Sequence, residues 1–360
     1  MTTHAEETVL AAGLRLALAD VRIAPDGRTA WVRDDEVTAE SASAMRFALA
    51  RTLYEVLHTG RGVKDREPPG TLRAPDYEAR LARATPHQET VTAGLLTEQR
   101  SAAGRRVVEI DGLRVGVPDS VTLRETGRTA GDTGHPVMLL NLPAARPLVS
   151  PGFFLVDSGT GRTGSGDLLR LYLRVADADA APELWHGVLS ALESRSVTYR
   201  AKIISNPSSL PRNDGMVVYL GSGSWDAVDA VTESALAIGL PEGPAPAFAH
   251  VVAPGVTAAW EPKDVRTGMG GLSFGEHRAH VVARAFVAAA QQHRERPTAA
   301  ELAAACVTAN VDPTDPARNL DSGHWPWYTA LRSTTAPADD PATPVPAHDN
   351  ASPAVQSAAT

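Results

Sequence analysis

Apolar residues recur every three or four positions through most of the first hundred residues, and from Arg105 they switch to alternation with polar ones. The stretch "VTAESASAMRFALARTLYEVLHTG" (37–60) has helical spacing, with Thr38 as candidate N-cap and Gly60 as C-cap. Before it, "VRIAPDGRTAWV" (21–32) sets a Pro-Asp-Gly turn between two short apolar runs and predicts a hairpin. "DREPPGTLRAP" is a loop, and residues 75–103 again read as helix, broken near Pro86.

The alternating segments "RRVVEIDGLRVGVP", "VMLLNLP", "GFFLVDS" and "LLRLYLRV" predict strands. A helix follows over 182–194, then strands over 199–204 and 216–220, then helices over 224–240, 273–293 and 298–310. The last two helices open on the capping boxes "SFGE" and "TAAE". The expected fold class is α+β: a mainly helical N-terminal region (1–104), then a mostly antiparallel sheet flanked by helices (105–333). Residues 334–360 are Pro/Ala-rich and are expected to be a disordered tail.

Composition narrows the function. With 43% apolar residues in 360 the chain can bury a sizeable core. A net charge of −8 argues against a general nucleic-acid or membrane-surface binder. No apolar run is long enough to span a bilayer, and the acidic start "MTTHAEETVLAAG" lacks the basic region of a signal peptide, so a cytoplasmic protein is expected. The lone Cys306, in "ELAAACVTA", excludes an internal disulfide framework or a cysteine zinc site and reads as a buried structural thiol. The 11 histidines are scattered, and His277 and His280 in "HRAH" lack an acidic third ligand, so no metal is expected.

The basic residues are unusual in kind: 31 arginines stand against three lysines, Lys64, Lys202 and Lys263. That bias resembles a high-GC bacterial genome. Where arginine serves almost everywhere, a retained lysine is a candidate for a group whose proton must leave, because arginine does not deprotonate in practice. The bland alternative for Lys202 is a leftover in a strand. "SGTGRTGSG" has the formal Gly159, Gly161, Gly164 spacing of a dinucleotide loop, but a strand follows where a helix is needed, so it reads as a hairpin loop. Period-two spacing puts Arg170, Tyr172 and Arg174 on one strand face. "LPRND" adds Arg212 and Asp214, "EPKD" adds Lys263, and "SFGEHR" sets His277 and Arg278 in the first turn of a helix. A cation there opposes the helix dipole unless an anion lies between, so Arg278 with Arg170, Arg212 and Lys263 suggests a phosphate or carboxylate site.

Six segments in order, "LYEVLHTG", "PGFFLV", "LLRLYLRV", "YRAKIISNPSSLPRNDGMVVYL", "PGVTAAWEP" and "SFGEHRAHVVARA", resemble the HopA effector family and its relatives in bacterial peptide natural-product clusters. The resemblance covers roughly residues 40–310 and is most specific in "K…PRND…VYL" and "SFGEHR". It implies a phosphothreonine/phosphoserine lyase of the class V lanthipeptide or thioamitide type. Such an enzyme works beside a kinase-like phosphotransferase and removes phosphate from a phosphorylated precursor peptide, leaving dehydrobutyrine or dehydroalanine. Carried onto this chain, it implies Lys202 as base, Arg212, Arg278, Lys263 and Arg170 as phosphate holders, and Asp214 as an orienting group. His277, Tyr219 or Tyr172 would be the acid, with no choice among them at this level. That chemistry needs no metal or cofactor. Two other functions fit the same residues: a phosphopeptide- or leader-binding partner of a kinase or cyclase, and a cyclase adding Cys thiols to dehydro residues.

Overall fold

The computed structural model describes residues 10–62, 71–110, 112–131, 134–146, 148–163, 166–241 and 243–326. Lys64 and the 334–360 tail lie outside the described residues. Among the described residues the strands form three antiparallel sheets. The first is small: β1 (Val21–Ile23), β2 (Thr29–Val32) and β3 (Asp35–Thr38). The predicted Pro-Asp-Gly turn joins β1 to β2, with Gly27 at φ 68° and the Asp26 carboxylate accepting from Arg28 N–H. Short α1 (Ala12–Ala17) precedes this sheet, and α2 (Ala42–Leu53), capped by Ser41, follows it.

At its C-terminal end α2 passes without a break into a π-helical turn, Tyr54–Thr59, which stops at left-handed Gly60. Then come α3 (Pro75–Ala84) and β4 (Glu89–Arg100). The expected helix over 75–103 therefore ends at Ala84. Beyond Pro86, "ETVTAGLLTEQR" forms a strand because its backbone pairs with neighbours on both sides, overriding the helix preference of its Ala, Leu, Glu and Gln. β4 is central to a five-stranded sheet with β5 (Arg106–Ile110), β6 (Leu113–Gly116), β7 (Leu123–Thr129) and β8 (Pro136–Pro143), in the order β6-β5-β4-β8-β7. This sheet crosses residue 104 without interruption, and the chain forms one compact unit as far as Gly323.

The third sheet has six strands. Its order is β13-β14-β10-β12-β11-β9, from β9 (Phe153–Asp157), β10 (Leu169–Val175), β11 (Tyr199–Ile204), β12 (Arg212–Leu220), β13 (His250–Ala253) and β14 (Val256–Trp260). Because β12 and β11 lie between β10 and β9, the glycine-rich segment joining β9 to β10 crosses two strands and is not the expected hairpin. Register puts Leu169, Leu171, Leu173, Met216, Val218 and Leu220 on one face, all fully buried. Each such side chain contributes about 1.5–3 kcal/mol. Against this face lies α4 (Ala181–Ser194), whose Trp185 meets Phe154 at 6.0 Å, and α5 (Val228–Ile238) packs beside α4.

On the other face, Arg170 sits opposite Tyr219, Tyr172 opposite Val217, and Lys202 opposite both Val217 and Leu155. Over this face lie the π-helical turn and the start of α6 (Phe274–Ala290); α7 (Ala299–Thr308) packs on α6. The helix starts at Ser273 and Thr298 both form the predicted capping boxes. Cys306 is buried, free, and pushed up to about 11 by its surroundings.

Candidate functional site

A cavity of about 490 Å³ opens between this sheet face, the π-helical turn and the loop ahead of α6. Five of the residues singled out in the sequence line it: Arg170 and Tyr172 on β10, Lys202 on β11, and Asp214 and Tyr219 on β12. The period-two spacing on β10 and the antiparallel register between β10, β12 and β11 bring these residues to one wall.

The Lys202 amine lies 4.2 Å from the centroid of the Phe153 ring and 5.9 Å from that of Tyr219. It makes no hydrogen bond or ion pair with any described residue. Across Tyr219, the Arg170 guanidinium stands 5.1 Å from the same ring centroid. Arg170 is only 8% exposed and is held by a two-pronged ion pair with Glu261. Deep burial pushes the Tyr172 phenol up, with the nearby Arg170 charge opposing, so it stays a proton-bearing group across the physiological range.

Behind this wall Asp214 binds Arg212 in a fork, Oδ1 to Nε at 2.8 Å and Oδ2 to Nη2 at 3.0 Å, and takes a third hydrogen bond from Tyr54 Oη at 3.1 Å. Burial alone would raise Asp214, but the Arg212 charge and its hydrogen bonds hold the carboxyl well below the usual range. Arg212 itself does not line the cavity; it supports Asp214 from the side.

The other predicted residues are elsewhere. Arg278 is 2% exposed, and its donors are spent on the carbonyls of Pro316 (2.7 Å) and Arg318 (3.1 Å), on Asn319 Oδ1 (3.0 Å) and on His277 Nδ1 (2.8 Å). That last bond fixes the His277 tautomer. Nδ1 accepts, so Nε2 carries the proton and donates it to Asp264 Oδ2 at 2.9 Å. His277 is fully buried and, by burial and then the Arg278 charge, pushed down to about 4. Neither residue lines the cavity: the first-turn arginine meets acceptors from its own chain, not an outside anion. Lys263 is likewise absent from the wall, its amine paired with Asp167 (2.6 Å) and Asp321 (3.5 Å).

Sequence reasoning missed Tyr54, His58 and Glu261. His58 is 2% exposed, stacked on Tyr54 at 5.5 Å and edge-on to Tyr172 at 5.0 Å, with Nε2 4.0 Å from Asp214 Oδ2. Burial pushes it down to about 4, so it is neutral near pH 7. Gly275, in the first turn of α6, makes room for its ring: a Cβ there would stand 2.3 Å from the ring carbon Cδ2. The i, i+4 spacing of Tyr54 and His58 just ahead of Gly60 is the signal in the sequence, and a π-helical turn frequently marks a functional position. Together the wall offers one unpartnered amine, one buried guanidinium and three phenols around a space large enough for a phosphorylated side chain. Among the described residues no group of three or more His, Cys, Asp or Glu is arranged to hold a metal ion.

Comparison with known proteins finds one family match and distant structural likenesses. Residues 144–318 match the HopA1 effector protein family. No curated protein matches the chain. Of the solved structures, an effector protein from Pseudomonas syringae pv. tomato strain DC3000 superposes with a TM-score of 0.41 at 13% identity, over 76% of this chain and 90% of that one. An effector protein from Pseudomonas syringae pv. syringae strain 61 gives 0.40 at 15% identity, over 78% and 98%. The matched region holds every cavity residue except Tyr54 and His58, which α2 and its π-helical turn bring in from outside it. The region that matches the HopA1 effector protein family, residues 144–318, contains the whole six-stranded sheet and α6.

Proposed function

We propose that the protein is a phosphothreonine/phosphoserine lyase acting on a kinase-phosphorylated precursor peptide in lanthipeptide-type biosynthesis. The observation that carries this reading is Lys202: an amine with no partner among the described residues, on the wall of the cavity and one aromatic ring away from a buried arginine. In its free-base form the amine takes the α-proton of the phosphorylated residue. The freed electron pair forms the Cα–Cβ double bond, the Cβ–O bond breaks, and phosphate departs with that bond's electrons. Arg170, held in place by Glu261, offsets the charge growing on the phosphate. Tyr219, between the two cations, is placed to protonate the leaving oxygen, with Tyr172 beside it. No step calls for a metal or cofactor. The partners in this reading are the leader-core phosphopeptide, a kinase-like phosphotransferase and a cyclase for the dehydro product, all in the cytoplasm.

The test is mass spectrometry of a phosphothreonine precursor peptide incubated with the purified protein and its kinase partner. Loss of phosphoric acid is expected; an unchanged peptide with its leader attached sinks the reading. Lys202→Arg should abolish elimination while phosphopeptide binding persists, and normal turnover in that variant refutes the base role. One observation favours a second reading, a non-catalytic phosphopeptide- or leader-binding subunit. Arg170 and Arg212 already carry carboxylate partners, Glu261 and Asp214. In that case Lys202→Arg leaves every measurable property intact.

A further inference from the structure

One basic surface outside the cavity is used by neither reading. Beyond Glu276 on the lip, His280 and Arg284 follow at four and eight residues along α6 and therefore on the same helix stripe. Phe47 of α2, 55% exposed, meets the His280 ring edge-on at 5.5 Å. The Arg46 guanidinium lies 4.8 Å from the centroid of Phe47. Arg46 and Arg284 make no hydrogen bond or ion pair with any described residue, although the chain as a whole carries −8. The carboxylates nearby are already engaged: Glu276 is tied to the backbone N–H of Ser273 at 2.8 Å, and Asp264 is shared by Arg266 and His277. Partial burial, then the charges of Arg266 and Arg46, push Arg284 down; burial and then Arg46 do the same to His280. Each of these groups would gain from an anion laid across the stripe.

We propose that Arg46, Phe47, His280 and Arg284 form a docking track for an acidic segment of the peptide substrate, one that places carboxylates about four residues from the residue entering the cavity. The spacing follows from helix geometry. Eight helical residues rise about 12 Å, which an extended peptide covers in roughly four residues. Phe47 supplies an apolar edge for the peptide's side chains, and the arginines supply the charge match. The peptide-substrate part of this inference rests on the lyase reading; the acidic-segment recognition does not.

The experiment uses fluorescein-labelled synthetic phosphothreonine peptides carrying two glutamates centred four residues before or after the phosphothreonine, with glutamine counterparts. Fluorescence anisotropy against the full chain should show one glutamate arrangement binding roughly five- to tenfold more tightly than its glutamine twin at low salt. High salt should erase the difference. Arg46→Glu/Arg284→Glu should abolish it, as should the milder Arg284→Gln in part, with melting curves confirming that both fold. Equal affinity for glutamate and glutamine peptides, or a preference that survives the double variant, overturns the proposal. Elimination from the same peptides is read separately by mass spectrometry. A glutamate preference without elimination removes the lyase reading and keeps the track; elimination without the preference does the reverse.

Discussion

Two basic clusters lie on either side of the first turn of α6, and the protein treats them in opposite ways. Around Arg278 the guanidinium is sealed in, every contact is internal, and the charge is balanced through His277 to Asp264. Around Lys202 the amine is half-buried, faces a cavity and has no partner among the described residues. Both were candidates for the same anion site. The fold supplies acceptors for Arg278 and none among the described residues for Lys202, so what separates the two is donors left over, not the amount of charge.

The sharpest way to test the contrast is to remove each cation. Arg278→Ala should cost about 3–5 kcal/mol of folding stability, because it strands His277 and three chain acceptors in the core. Lys202→Ala should move stability by less than about 1 kcal/mol, a loss of stem packing on Phe153. Denaturant unfolding of both variants gives the comparison, and similar costs would erase it.

Acid comes next. His58 and His277 are held neutral by burial at about 4, against about 6.5 when unfolded, so unfolding takes up a proton at each. Stability should fall as pH drops from about 6.5 and flatten below about 4, by up to the order of 3 kcal/mol per histidine. Asp214 and Asp264, both held low, add their own loss further into acid. A melting temperature constant between pH 7 and 5 would contradict this.

Smaller effects probe the cavity lip. Gly275→Ala drives a methyl into the His58 ring and should cost about 1–3 kcal/mol, together with loss of activity from a displaced Tyr54–Asp214 contact. Lys263→Ala breaks only half-exposed pairs with Asp167 and Asp321, and should change stability by less than about 1 kcal/mol and elimination by less than about twofold. A large loss of turnover there would put Lys263 back among the phosphate contacts.

Much of the fold could be read from local pattern. Alternation found β5, β6 and β8 to β12 but missed β7 (Leu123–Thr129), the Pro-Asp-Gly turn found the β1–β2 hairpin, and two capping boxes fixed the starts of α6 and α7. β4 was misread because its composition suits a helix and only pairing with β5 and β8 makes it a strand. The same limit applies at the site. Arg170, Lys202, Asp214 and Tyr219 are placed together by strand period and by two adjacent hairpin-like pairings. Tyr54 reaches Asp214 across 160 residues, and Arg278 meets its acceptors some 40 residues downstream. Nothing in a local window reports either. The dipole argument for Arg278 considered only the helix that carries it, and its acceptors belong to another segment.

The segment that supplies those acceptors also sets an order for making the molecule. Residues 316–319 give Arg278 its carbonyls and amide oxygen, hold the Trp260 N–H through Ala317, and place the Asn319 amide on the carbonyl of Glu261, the residue that grips Arg170. During synthesis these residues emerge near the end of the compact unit. Until Asn319 has left the ribosome, the buried guanidinium lacks three of its four acceptors and the end of β14 has no seal. The cavity wall is therefore completed by a late stretch of chain, and a nascent protein cannot hold Arg170 and Arg278 as the folded one does before residues 316–319 are made.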